Sequence, residues 1–250
     1  MSRFLKLTLA YDGTAFSGWQ VQPNERTIQD VLERAIAKTT GEQIRAVASG
    51  RTDAGVHALG QVVSFATQSS IELDVLCRAL NANTPFDLVV LDVCKAPNGF
   101  HAIRDAIGKR YRYVIQDGPL PDVFSRAYAW HIPQRLDDKA MRVAAQSLIG
   151  KHDFISFQAS GSDRKTTVRT ITDLTVHRCT ENDFSKIVIE VAADGFLYNM
   201  VRNIVGTLVE VGRSNKSTDW PGEVLAAEDR KVAGMTAPPH GLFLVKVDYD

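Results

Sequence analysis

Ser49-Gly50-Arg51-Thr52-Asp53-Ala54-Gly55-Val56-His57 is a polar, glycine-bracketed run that fits neither a helical nor a strand period, and the elements on its two sides mirror each other. Upstream, residues 4–10 alternate as a strand and Asp12-Gly13 signals a turn. Thr27-Ile28-Gln29-Asp30 then reads as a capping box opening a helix, with Ile28, Val31, Leu32, Ala35 and Ile36 on one stripe. Thr39-Thr40-Gly41 stops that helix, and a strand over 43–48 leads into the polar run. Downstream come a strand over 61–65, a helix carrying Leu73, Leu76, Cys77 and Leu80, and a strand over 88–93. The order βαβ-loop-βαβ is that of a split-βαβ, ferredoxin-like unit whose helices cover one face of an antiparallel sheet.

Beyond it, Pro97-Asn98-Gly99 and the charged stretch to Lys109 break both periodicities, which predicts a linker and a boundary near 105. Residues 1–104 form an N-terminal α/β domain carrying the aspartate loop, and residues 105–250 form a second α/β domain. The second half reads as a strand over 109–116, a proline-rich stretch and an alanine-rich helix over 137–149. Strands near 168–178 and 186–192 follow, then a long helix from about 195 to 212 and a last strand over 242–249. The fold class is α+β, two ferredoxin-like halves with antiparallel sheets, although no sequence repeat proves a duplication.

Lys+Arg and Asp+Glu number 29 each, so no global cationic field draws the molecule to a polyanion and any such site is a local patch. With 44% hydrophobic and 23% charged residues the chain is expected to fold as a globule. Cys77, Cys94 and Cys179 are odd in number and far apart, which argues against a disulfide framework or a structural zinc site and for a reducing cytoplasm. The opening Met-Ser-Arg-Phe-Leu-Lys carries no apolar signal core, and the apolar stretch 195–212 is broken by Asn199, Arg202, Asn203 and Glu210, so no membrane association is expected.

Nucleotide-binding glycine fingerprints, H-E-x-x-H and G-x-S-x-G are all absent, which makes cofactor-free chemistry the expectation. In the polar run a carboxylate, Asp53, sits two residues after Arg51 between glycines that permit close approach of a ligand to the backbone. The competing reading is a polar turn with a surface ion pair. His57 and Asp53 alone are too few ligands for a metal, and none is expected.

A second cluster, Lys109-Arg110-Tyr111-Arg112-Tyr113, places both tyrosines on one face of a strand and both arginines on the other. Interleaved cations and rings suit nucleic acid, the cations facing phosphates and a phenol stacking on a base; taken alone, such a strand also reads as an edge with core tyrosines. Residues 101–112 hold four cations against one acid, and 163–169, with Arg164, Lys165 and Arg169, three against one. In the third cluster, 195–206, Leu197, Met200, Val201, Ile204 and Val205 form a core stripe. Arg202 sits among them and needs an anionic partner if buried: Asp53, Glu190, Asp194 or Glu210.

Five motifs, G-R-T-D-A-G-V-H-A (50–58), K-R-Y-R-Y (109–113), V-R-T-I (168–171), D-G-F-L-Y-N-M-V-R-N-I-V-G (194–206) and H-G-L-F-L-V-K-V-D-Y (240–249), closely resemble the tRNA pseudouridine synthase A family in order and spacing. Tyr11-Asp12-Gly13-Thr14 and Phe16-Ser17-Gly18-Trp19-Gln20 extend the resemblance over nearly the whole chain. The resemblance implies the pseudouridine synthase fold with a central RNA-binding cleft. It also implies a cytoplasmic homodimer that isomerises uridine to pseudouridine at positions 38 to 40 of the tRNA anticodon arm without metal or cofactor. By the same resemblance Asp53 is the catalytic aspartate, Arg202 its partner and Arg51 the arginine that holds the flipped nucleotide. Tyr111 is the ring on the target base, and Leu242 lines the uracil pocket. Arg110 and Lys165, in the two basic segments, are the candidates for backbone contacts. The rivals are a non-catalytic RNA-binding module, which has no use for a paired carboxylate in its groove, and another RNA-modifying enzyme such as a methyl transferase, which needs a cofactor loop.

Overall fold

The computed structural model describes residues 2–161, 166–181 and 184–250. In chain order the elements are β1 (Arg3–Tyr11), α1 (Ile28–Thr40), β2 (Val47–Ala48), β3 (His57–Thr67), α2 (Leu73–Asn83), β4 (Leu88–Ala96), β5 (Ala106–Asp117), β6 (Trp130–Ile132), α3 (Asp138–Ala145), β7 (Gly150–Asp153), β8 (Val168–Glu181), β9 (Phe184–Ala193), α4 (Met200–Gly212), α5 (Trp220–Ala227) and β10 (Leu242–Tyr249). Two compact units result, one of residues 1–107 with 243–250 and the other of residues 108–242. Among the described residues no helix is long and apolar enough to cross a membrane.

In the first unit β1 lies between β4 and β3, antiparallel to both, and β2 pairs antiparallel with β3. That order, 4-1-3-2, is the split βαβ that the sequence predicts. Leu5, Leu7 and Leu9 of β1 are fully buried on one face, as are Ile28, Leu32 and Ile36 of α1 and Leu76 and Leu80 of α2. Each such side chain contributes about 1.5 to 3 kcal/mol relative to exposure. The start of β10 adds a parallel partner to the start of β3, Phe243 opposite His57, and Gly60 allows the approach because a Cβ there would stand 2.5 Å from the Val245 carbonyl oxygen.

The predicted strand over 43–48 shrinks to Val47–Ala48. Side chains of α1 take its backbone instead: Glu33 accepts from the Ala46 amide at 2.9 Å, and Gln29 donates to the Ala46 carbonyl at 3.0 Å. The capping box does not close either. The Ile28 and Gln29 amides donate to the carbonyls of Gly18 and Trp19, the Thr27 hydroxyl is buried without a hydrogen-bond partner, and Asp30 pairs with Arg34. Pro97-Asn98-Gly99, expected as a linker, closes a turn through the Phe100 amide. The segment behind it is packed down, with Ala102 fully buried, its amide bonded to Ser64 and its carbonyl to Tyr249.

The second unit repeats the split arrangement: β9 lies between β5 and β8, antiparallel to both, and α3 joins the flanking pair. β7 continues beyond β8, and β6 pairs in parallel with β5. Its core joins Tyr113, Ile115, Ile187, Ile189 and Val191 of the sheet with Met141 of α3 and Ile204, Val205 and Leu208 of α4. The long helix expected from about 195 begins only at Met200. Asn199 takes the left-handed conformation at φ +58°, so residues 195–199 form a bend, although Leu197 is still buried as the stripe requires. Helix α3 stops at Ala145 and a single 3-10 turn, Gln146–Leu148, completes the predicted stretch.

Candidate active site

The 49–57 turn is held by neutral, buried hydrogen bonds. Gln61 of β3 is fully buried; its amide accepts from the Ser49 hydroxyl at 2.7 Å and donates to the Gly50 carbonyl at 2.8 Å. The Tyr11 and Thr52 hydroxyls meet at 2.8 Å. Burial pushes the Tyr11 phenol up to about 12, against the opposing pull of its bonds to Thr52 and Gln61.

Backbone contact fixes the other side of the turn. The Thr52 carbonyl accepts from the Trp19 amide at 2.9 Å, and a Cβ on Gly18, at φ +85°, would stand 2.9 Å from that same oxygen. Within the turn the Val56 amide donates to the Asp53 carbonyl at 3.1 Å, and Gly55 takes φ +76°. On this rigid frame Asp53 is half-buried, while Arg51 is exposed and makes no hydrogen bond or ion pair to any described residue.

His57 is structural. Its Nδ1 accepts from the Gly13 amide at 3.0 Å, which requires the Nδ1 lone pair, and its ring stacks on Phe243 at 4.7 Å. The Asp12 carboxylate lies 3.2 Å from the same nitrogen. No group of three or more His, Cys, Asp or Glu among the described residues is arranged to hold a metal ion.

In the second unit Tyr111 lies on β5 opposite Val191, is 9% exposed, and meets the Phe196 ring edge-to-face at 5.0 Å. Tyr113, on the same face, is fully buried and donates to the Pro238 carbonyl at 2.7 Å. Burial raises its pKa, and the nearby Arg202 charge opposes the shift. Arg202 projects from the first turn of α4; its Nε donates to the Ala237 carbonyl at 2.7 Å and its Nη1 to Asn199 Oδ1 at 2.9 Å. Leu242, 6% exposed, follows the Pro239–Gly241 turn, where Gly241 leaves room for the Tyr113 ring.

The basic segment 101–112 is less cationic than its composition. Arg110 pairs with Asp173 at 2.7 Å and Glu190 at 3.4 Å, Arg112 with Glu190 at 2.7 Å, and Arg104 with Asp105 at 2.8 Å. Lys165 and Arg164, the centre of the other basic loop, lie outside the described residues. Sequence reasoning gave no role to Tyr11, Ser49 and Gln61, the residues that hold the turn. The available signal was Gln61, a long polar residue in a strand whose neighbours are apolar.

A family model described as tRNA pseudouridine synthase matches residues 8–103 and 144–250. The chain belongs to the tRNA pseudouridine synthase family. Curated relatives named tRNA pseudouridine synthase A include those of Acetivibrio thermocellus, 47% identical over 99% of this chain and 100% of that protein, and of Geobacillus sp. (strain WCH70), 47% identical over 100% of both. The protein of the same name from Listeria monocytogenes is 44% identical over 100% of both chains. The α+β architecture, with its mostly antiparallel sheets, is thus a pseudouridine synthase fold. Four of the five motifs, 50–58, 168–171, 194–206 and 240–249, fall inside the matched residues of that synthase model, and 109–113 lies outside them.

Proposed function

We propose that the protein isomerises uridine to pseudouridine at positions 38 to 40 of the tRNA anticodon stem-loop, with Asp53 as the catalytic carboxylate. Membership of the tRNA pseudouridine synthase family is the observation that carries this reading. The reaction breaks the bond between C1′ and N1, turns the base and forms a bond between C1′ and C5, while a proton leaves C5 and one is gained at N1. It needs a carboxylate fixed beside the nucleoside and a pocket that excludes water. A turn held by the buried hydrogen bonds of Gln61, Ser49, Tyr11 and Thr52 suits that task, because it fixes the carboxylate in place.

Arg202 is the cation that keeps Asp53 ionised; an adjacent guanidinium lowers a carboxylate pKa by about 1 to 3 units. Extracting a stem base costs a few kcal/mol. Arg51, exposed and without a partner among the described residues, helps to hold the flipped nucleotide out of the stack, Tyr111 packs on the base and Leu242 lines its pocket. Arg110 and Lys165 contact the RNA backbone, Arg110 by giving up part of its pairing with Asp173. The enzyme works as a cytoplasmic homodimer on the anticodon arm, without metal or organic cofactor.

Asp53→Asn keeps the size and removes the charge. With enzyme in excess over unmodified tRNA bearing uridine at 38, 39 or 40, pseudouridine formation falls below detection. Circular dichroism stays native and tRNA affinity changes by less than about tenfold, or about 1.4 kcal/mol. A wild-type single-turnover rate ends the assignment, and product at other positions in the wild type ends the positional reading.

A further inference from the structure

The segment 233–237 lies on α4 backbone to backbone. A Cβ on Gly206 would stand 1.7 Å from the Met235 carbonyl oxygen, and one on Gly234 would stand 2.6 Å from the Thr207 nitrogen. The Ala237 amide donates to the Arg202 carbonyl at 3.1 Å while the Ala237 carbonyl accepts from Arg202 Nε at 2.7 Å. Arg202 is therefore gripped by this strap at both its backbone and its guanidinium.

Arg230 ties the strap down. Its Nη1 donates to the Gly234 carbonyl at 2.9 Å, and its Nη2 to Asn203 Oδ1 at 2.9 Å and to Thr236 Oγ1 at 3.1 Å. Thr236 donates to the same Asn203 oxygen at 2.6 Å, and the Asn203 amide donates to the Phe157 carbonyl at 2.7 Å. Asn203 is fully buried, one residue after Arg202. Among the described residues no carboxylate pairs with Arg230, and burial lowers its pKa without an acid to offset it. Arg230 is half-buried, and its charge meets only neutral acceptors among the described residues. The planar guanidinium suits the tie because two nitrogens, held in fixed relation, reach the strap and α4 together, which a lysine ammonium cannot do.

We infer that Arg230 is a positioning residue for the isomerisation, acting with Thr236 and Asn203 to set the Ala237 carbonyl that aims the Arg202 guanidinium. The inference rests on the role proposed for Arg202, and misplacing a reacting group by about 1 Å costs up to roughly a hundredfold in rate.

The test compares Arg230→Lys, Thr236→Val and Arg202→Met in the full-length protein, measuring single-turnover pseudouridine formation at saturating enzyme together with tRNA Kd and its salt dependence. Arg230→Lys is expected to slow the step by roughly tenfold to a hundredfold, and Thr236→Val by less. In both, Kd stays within about threefold and the salt slope is unchanged. A wild-type rate in Arg230→Lys while Arg202→Met is slow overturns the positioning role alone. A wild-type rate in Arg202→Met overturns the reading beneath it. A loss confined to Kd with a shallower salt slope makes Arg230 a phosphate contact instead. Failure of both strap variants to fold makes the strap a stability element, and equally overturns the inference.

Discussion

The network under the 49–57 turn is neutral, the three hydroxyls of Tyr11, Thr52 and Ser49 and the amide of Gln61, whereas the one joining β5, α3 and β8 is ionic. In the latter, Asp117 is buried with its Oδ1 2.6 Å from Arg178 Nη1 and 2.7 Å from Ser185 Oγ, and its Oδ2 accepts from the Leu136 amide at 2.9 Å. Arg178 reaches Asp138 at 2.7 Å with its Nε. Both networks are buried, and they differ in what they carry. The neutral one presents Arg51 and Asp53, whose charges a charged frame would screen or repel; the ionic one, none of whose members is a proposed site residue, ties the end of β5 beyond Tyr111 to α3 and β8. Placed under a carboxylate that must stay reactive, an ionic frame of that kind would compete for it.

The largest expected effect lies in the ionic network. Arg178→Met leaves a fully buried carboxylate without its main partner and should cost about 3 to 5 kcal/mol in urea unfolding, with the single-turnover rate of folded enzyme unchanged within about twofold. In the wild type, burial pushes the Asp117 carboxyl up, but Arg178, the Leu136 amide and Ser185 outweigh it and hold the pKa below the ordinary carboxylate range. That contribution is complete above about pH 4 and is lost as the pH falls through the depressed folded value. The unpaired carboxyl of the variant gains by protonation, so the stability gap should narrow on the acid side. A gap below about 1 kcal/mol at pH 7 would mean that Arg135, 3.7 Å from Asp117, has taken over the pairing.

In the neutral network the balance between rate and stability should reverse. Gln61→Met keeps the volume but leaves Gly50, Ser49 and Tyr11 short of a partner, at about 1 to 3 kcal/mol. With the turn loosened, pseudouridine formation should slow by roughly tenfold or more while tRNA affinity holds. Stability lost with no change in rate would remove the distinction between the two networks.

Where sequence reading succeeded and where it failed follows the range of the interactions involved. β10 begins at Leu242 as read, because alternation and a glycine turn are local signals, and α2 and β4 follow for the same reason. The strand over 43–48 was lost to Glu33 and Gln29, and the Thr27 cap to the carbonyls of Gly18 and Trp19, partners that no local window contains. Arg110 looks free in a window of twelve residues, yet its carboxylates, Asp173 and Glu190, lie 63 and 80 residues away. The residues of the 49–57 turn stood out by composition. Those that hold it, Tyr11 and Gln61, are single polar positions in otherwise ordinary strands and become visible only once the strands are paired.

The smallest and most discriminating effect concerns Tyr11. Tyr11→Phe removes one hydroxyl from the neutral network and should cost about 0.5 to 1.5 kcal/mol at pH 7, with little change in rate because Gln61 still holds Gly50. Its signature is in alkali. The folded phenol is held at about 12 by burial, against an ordinary value of 10.0, so its contribution is complete below about pH 10. It is then lost as the pH rises towards the folded value, by up to about 1.4 kcal/mol per pH unit. Burial also raises Tyr113 and Tyr249, and both remain in the variant, so the alkaline decline should persist but be shallower by one proton. Urea unfolding of both proteins between about pH 9 and 11.5 reads that difference directly. Parallel declines would mean that Tyr11 ionises as readily in the folded chain as in the unfolded one, which a phenol sealed beneath the turn cannot do. The neutral frame proposed for Asp53 would then be open to water.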